Sequence, residues 1–76
     1  MTIPVLLFAS LRARYGEEVC VELALPATVK DLERTLREKG VWVEGARVAV
    51  NQRFASAEDS INLGDEVAVI PPVSGG

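Results

Sequence analysis

The sequence has 76 residues, one cysteine and no histidine, and 8 basic against 11 acidic side chains give a formal charge of -3 at neutral pH. That length bounds one small domain, and the missing histidine removes the commonest zinc ligand and general base, so neither a metal centre nor a serine triad on Ser10, Ser56, Ser60 or Ser74 is expected. Cys20 alone cannot form an internal disulfide, and the scattered arginines and lysines argue against nucleic acid as a partner.

In chain order, the apolar run Ile3-Pro4-Val5-Leu6-Leu7-Phe8-Ala9 predicts a first strand, with Pro4 near its start. Ser10 is placed to cap a brief helical turn over Leu11–Tyr15, closed by Gly16, with Glu17-Glu18 as a solvated turn. A second strand follows with period two: Val19, Val21, Leu23 and Leu25 face one way, and Cys20, Glu22 and Ala24 the other. Pro26-Ala27 breaks it. Thr28 and Asp31 have capping-box spacing, which predicts a helix running to about Lys39 and ended by Gly40. Its apolar stripe is Val29, Leu32 and Leu36, and its outer face offers Glu33–Arg37 and Arg34–Glu38 as ion pairs.

Val41-Trp42-Val43 reads as a loop over the end of the core, and Gly45 turns the chain into a third strand, Arg47–Val50. Asn51-Gln52-Arg53 predicts a tight turn into a very short strand at Phe54-Ala55, Ser56–Asn62 a polar loop, Leu63-Gly64-Asp65 a turn, and Glu66–Ile70 the last strand. The acidic doublets at 17–18, 58–59 and 65–66 lie at turns, with Asp65 placed to cap one. The order predicts an α+β roll, a mixed sheet of four to five strands with one main helix on one face. In the first and last strands both faces are apolar, whereas a lone helix covers one. Either these strands are central and buried throughout, or Phe8, Ile70 and Phe54 form an exposed patch where a partner docks.

After Ile70, Pro71 and Pro72 stop sheet pairing and project an extended arm. Val73, Ser74, Gly75 and Gly76 would reach roughly 13 Å, at about 3.3 Å per residue, and the two glycines let a narrow channel close around the backbone up to the carboxylate. The expected division is a body over 1–70 and a tail over 71–76. No apolar run approaches the roughly 20 residues that cross a bilayer, and no targeting segment is evident at the N-terminus, so a cytoplasmic chain without a membrane partner is expected.

Val5-Leu-Leu-Phe-Ala through Leu11-Arg12 to Gly16, Val48-Ala-Val-Asn-Gln52, Leu63-Gly-Asp-Glu-Val67 and the ending Pro71-Pro-Val-Ser-Gly-Gly76 together resemble the small-subunit family of molybdopterin synthase. The resemblance implies a ubiquitin-like β-grasp fold and a sulfur carrier that is not catalytic alone and binds no cofactor. It implies that an ATP-dependent activating enzyme, similar to the ubiquitin-activating class, makes a glycyl adenylate at Gly76 and that a sulfur donor converts it to a 1-thioglycine. The sulfur then passes to a pyranopterin precursor inside a large catalytic subunit, as part of a heterotetramer. On this reading Gly76 carries the sulfur, Gly75, Ser74, Val73, Pro72 and Pro71 occupy the partner's channel, and Phe8, Arg12, Phe54 and Ile70 meet the partner, with Arg12 reaching an acidic group there. Two alternatives stay open: a carrier for tRNA thiolation, thiamine or cysteine synthesis, and a ubiquitin-like modifier of other proteins.

Overall fold

The computed structural model describes residues 1–72. A five-stranded mixed sheet runs in the order β2-β1-β7-β4-β5, built from β1 (Thr2–Leu7), β2 (Glu18–Glu22), β4 (Arg47–Val50), β5 (Arg53–Phe54) and β7 (Val67–Ile70). β1 and β7 pair in parallel at its centre and the other pairs are antiparallel. A separate two-stranded sheet joins β3 (Ala27–Thr28) to β6 (Ser60–Ile61). Helix α1 (Ala9–Tyr15) follows β1, and α2 (Val29–Lys39) crosses one face of the main sheet. This is the α+β roll with a mixed sheet expected from the strand order, in the β-grasp arrangement that the resemblance implies.

Alternation decides what each face holds. Ile3, Val5 and Leu7 of β1, Val21 of β2, Val48 of β4 and Val67 and Val69 of β7 are buried in one cluster with Val29, Leu32 and Leu36 of α2. Leu32 and Leu36 are fully enclosed, so truncating either removes transfer energy and leaves a cavity. The predicted caps of α2 are present: Thr28 Oγ1 accepts from the Asp31 N–H at 3.2 Å, Asp31 Oδ2 accepts from the Thr28 N–H at 3.1 Å, and Gly40 takes φ 78°. The loop after α2 covers the end of the core as expected, with Val41 buried in the core and Trp42 half-buried against it.

Several local expectations differ from the structure: the second strand, expected through Leu25, ends at Glu22, and Ala9, expected in the first strand, begins α1. α1 is capped at Phe8, whose carbonyl accepts from the Leu11 and Arg12 N–H groups, so Ser10 lies inside the first turn and caps nothing. Glu18 belongs to β2, because its position opposite Leu6 extends the ladder with β1. Arg34 pairs with Asp31, 3.0 Å away and already fixed by the capping box, whereas Glu33–Arg37 forms as expected at 2.9 Å. The polar stretch 56–62 contains β6, whose Ile61 is buried opposite Ala27, so a strand of two residues escaped the period-two pattern.

Asn51 and Gln52 both take positive φ, 53° and 68°, in the two-residue turn between β4 and β5. Such turns favour Asn-Gly, and Gln52 pays the Cβ penalty that glycine avoids. Replacing Gln52 with glycine should raise stability by about 1 kcal/mol, read as an upward shift of roughly 4–8 °C in the thermal midpoint.

The Asp31 carboxyl is held below the usual aspartate range, first by the Thr28 backbone N–H, then by the Thr28 side chain, with Arg34 assisting. A depressed folded-state pKa contributes stability that is present above the unfolded-state value and lost as pH falls through the folded one. Asp31→Asn should therefore be less stable than the parent chain at neutral pH. The gap should close as acid protonates Asp31, followed by urea unfolding across the acid range.

Candidate functional site

The side of the main sheet opposite α2 is uncovered. Cross-strand register lines up Leu6 with Ala68, Ala68 with Ala49, and Ala49 with Phe54, so one row of apolar side chains crosses β1, β7, β4 and β5 on that face. One step along, Ile70 stands opposite Arg47, and Phe8 follows the last paired residue of β1. The two alanines form a low floor; they are buried but lie outside the main core cluster. Leu6, Phe8, Phe54 and Ile70 form walls around a groove of about 410 Å³. Phe8 is 41% and Phe54 54% exposed, and Ile70 is half-buried, so the doubly apolar strands leave an accessible patch. Small floor residues beside large rims make a socket that a partner's apolar side chains could fill.

Charge is confined to the rim. The Arg47 guanidinium lies 3.7 Å from the Phe54 ring centroid, flattening that aromatic against the surface, while Glu66 and Gln52 border the opposite end. That end is braced by Asn51, which accepts from the Glu66 N–H and donates to Asp65 Oδ1, both at 3.0 Å. Asp65 Oδ2 accepts from the Asn62 N–H at 2.8 Å, the turn-capping role expected of it, and this bond first and Asn51 second hold its carboxyl below the usual range. Arg12 borders an adjoining hollow with Glu17 and Glu18, where Arg12 Nη2 donates to Glu17 Oε1 at 2.7 Å.

β7 delivers the main chain to the edge of the groove. Pro71 is buried and Pro72 exposed, and Pro72 rests against Gly45 so closely that a Cβ on Gly45 would lie 3.2 Å from Pro72 Cγ. The sequence-predicted residues Phe8, Phe54 and Ile70 are thus brought together, and Arg12 sits beside them. Val73, Ser74, Gly75 and Gly76 lie outside the described residues. Sequence reasoning missed Ala49 and Ala68, whose small size at outward parity was the available signal, and it read Gly45 only as a turn. Among the described residues no cluster of His, Cys, Asp or Glu could hold a metal ion, and no helix is long and apolar enough to cross a membrane. Cys20 is exposed on the edge strand β2.

Residues 5–76 match the ThiS family. The chain is 32% identical over 80 residues to the molybdopterin synthase sulfur carrier subunit of Dictyostelium discoideum, covering 95% of this chain and 93% of that protein. Small archaeal modifier protein 1 of Haloferax volcanii is similar in structure, with a TM-score of 0.75 and 25% identity over 95% of this chain and 98% of that one. A chain from the protein–protein complex of subunits 1 and 2 of molybdopterin-converting factor from Helicobacter pylori has a TM-score of 0.70 and 24% identity over 100% of each chain, a likeness of fold.

Gly45 has φ 85° as well as the close approach to Pro72. Gly45→Ala should lower stability by about 1–2 kcal/mol through the left-handed backbone alone, measured as a lower urea midpoint at unchanged slope.

Proposed function

The chain belongs to the ThiS family, and from that premise we propose that it is the sulfur-carrier small subunit of a molybdopterin synthase, with residues 1–70 as its body and residues 71–76 as its reacting tail. The Gly76 carboxylate attacks the α-phosphorus of ATP on an activating enzyme and expels pyrophosphate. This converts a poor electrophile into an acyl adenylate with a good leaving group. Sulfide-level sulfur from a donor attacks the carbonyl carbon, the bond to AMP breaks, and loss of the sulfur-bound proton leaves a terminal thiocarboxylate. In the large catalytic subunit that sulfur displaces an oxygen substituent from a carbon of a pyranopterin precursor, the C–O bond breaking as the oxygen leaves with its electron pair. Water then hydrolyses the resulting thioester, returning the Gly76 carboxylate and leaving the sulfur on the precursor. A dithiolene holds two sulfurs, so two loaded carriers are consumed for each product.

The observation that carries this reading is that the family match extends through residue 76, in a chain similar over nearly its whole length to a sulfur carrier subunit. The body supports it. It lacks a histidine and, among the described residues, a metal cluster, while it offers an open apolar groove beside the point where the chain leaves at Pro72. The groove residues Phe8, Phe54 and Ile70 seat the large subunit and, at another stage, the activating enzyme, and Arg12 exchanges Glu17 for a carboxylate of the partner. Gly75 and Ser74 thread the channel because neither carries bulk.

Likeness to small archaeal modifier protein 1 favours a second reading, in which the activated Gly76 carbonyl is captured by a lysine amine of another protein. Incubation with an activating enzyme, ATP and a sulfur donor, followed by mass spectrometry, should show oxygen replaced by sulfur at Gly76. Removal of Gly75 and Gly76 should abolish that change without altering the thermal midpoint. A ladder of heavier conjugates in place of the thiocarboxylate would select the modifier reading.

A further inference from the structure

We infer that Arg37 is a positioning residue for loading and transfer, because it clamps the loop on which Pro72 rests and so fixes the direction in which the main chain leaves the domain. Its consequence for sulfur transfer rests on the sulfur-carrier reading; its mechanism rests on geometry.

Arg37 lies in the last turn of α2 and joins that helix to the segment before β4 by two contacts, with a third inside the helix. Its Nε donates to Glu33 Oε2 at 2.9 Å, its Nη1 donates to Glu44 Oε1 at 2.7 Å, and its guanidinium lies 5.7 Å from the Trp42 ring centroid. Glu33 orients the guanidinium from within the helix, and Trp42 and Glu44 are the loop groups it holds. The backbone repeats the connection: the Val41 N–H donates to the Leu36 carbonyl at 3.0 Å, and the Ala46 N–H donates to the Val43 carbonyl at 3.2 Å. Glu44 adjoins Gly45, and Gly45 is the surface against which Pro72 packs. The path from helix to exit is therefore Arg37, Glu44, Gly45, Pro72.

Two features make this path matter. Proline fixes φ at positions 71 and 72, so the direction of the backbone at the exit is set there, ahead of residues 73–76. A partner whose channel must accept those residues meets them at lower ordering cost when that direction is already selected. A planar guanidinium can serve two carboxylates and lie over an indole at once, which the single ammonium of lysine cannot. Arg34 on the same helix pairs within the helix, with Asp31, and has no such link to the loop.

The test measures pyrophosphate release by an activating enzyme with this chain as the varied substrate, together with amide chemical shifts of the free chain. Arg37→Ala and Glu44→Gln should each raise KM roughly threefold to fivefold at unchanged kcat, the range expected for loss of exposed ion pairs. The double variant should be no worse than either single one, since both break one link. Arg37→Lys should not restore KM, and Arg34→Ala, which removes the same charge from the same helix, should leave it at the parent value. The Gly45 amide and the amides beyond Pro72 should shift in Arg37→Ala and stay in place in Arg34→Ala. A parent-like KM in Arg37→Ala, or unmoved amides at Gly45 and beyond Pro72, overturns the inference. If the parent chain itself is not adenylated, the sulfur-carrier reading falls, and the amide shifts still decide whether Arg37 sets the exit direction.

Discussion

β7 is hydrogen-bonded along both edges, in parallel to β1 and antiparallel to β4, and that double pairing constrains everything around it. Its side chains must divide between two faces. Val67 and Val69 go to the core under α2, and Ala68 and Ile70 go to the opposite side. Because the neighbours are locked in register, the same division runs across four strands, and the groove is a product of the same pairing that builds the core. The strand that carries the chain to its exit is one of the strands paired on both edges. Force or strain applied at Pro72 is therefore resisted by two ladders of hydrogen bonds.

Polar groups in this domain organise corners. No polar or charged side chain is buried among the described residues. Charged pairs such as Arg12–Glu17 and Arg37–Glu44 are exposed, so each adds little to global stability. Their value is local: Asn51 and Asp65 tie the β4–β5 turn to the start of β7, and Thr28 with Asp31 starts α2. Apolar burial supplies the driving force, and the polar contacts choose which loop geometry accompanies it.

Much of this was legible in the amino-acid sequence wherever a pattern is local. Thr28, Asp31 and Gly40 bounded α2 because capping chemistry is read within four residues. Val19 and Val21 showed the inward face of β2 by alternation alone, although the same alternation in Leu23 and Leu25 runs past the strand's end at Glu22, and the unexplained second apolar face of β1 and β7 pointed to Phe8, Phe54 and Ile70. What escaped depends on contacts between distant segments. β6 is a strand because Ala27 lies beside Ile61, a pairing that two residues cannot announce. The cap of α1 is a backbone carbonyl at Phe8, invisible in side-chain identity, and so Ser10 was misread. Ala49 and Ala68 meet only after β4 and β7 pair, and Gly45 meets Pro72 across a gap of 27 positions in the chain. The identity of the reacting end came from family likeness, since glycine pairs also close many unrelated chains.

The parallel contact between β1 and β7 joins segments from opposite ends of the described chain. During synthesis the first strand must wait with one edge unfilled until residues 67–70 have emerged, because no earlier segment occupies that central slot. Long-range pairing of this kind makes nucleation slow compared with a helical bundle. A growing polypeptide therefore cannot assemble this sheet before its last strand has been made. Closure of the sheet and completion of the groove arrive together, because Ala68 and Ile70 of that last strand supply part of the groove lining.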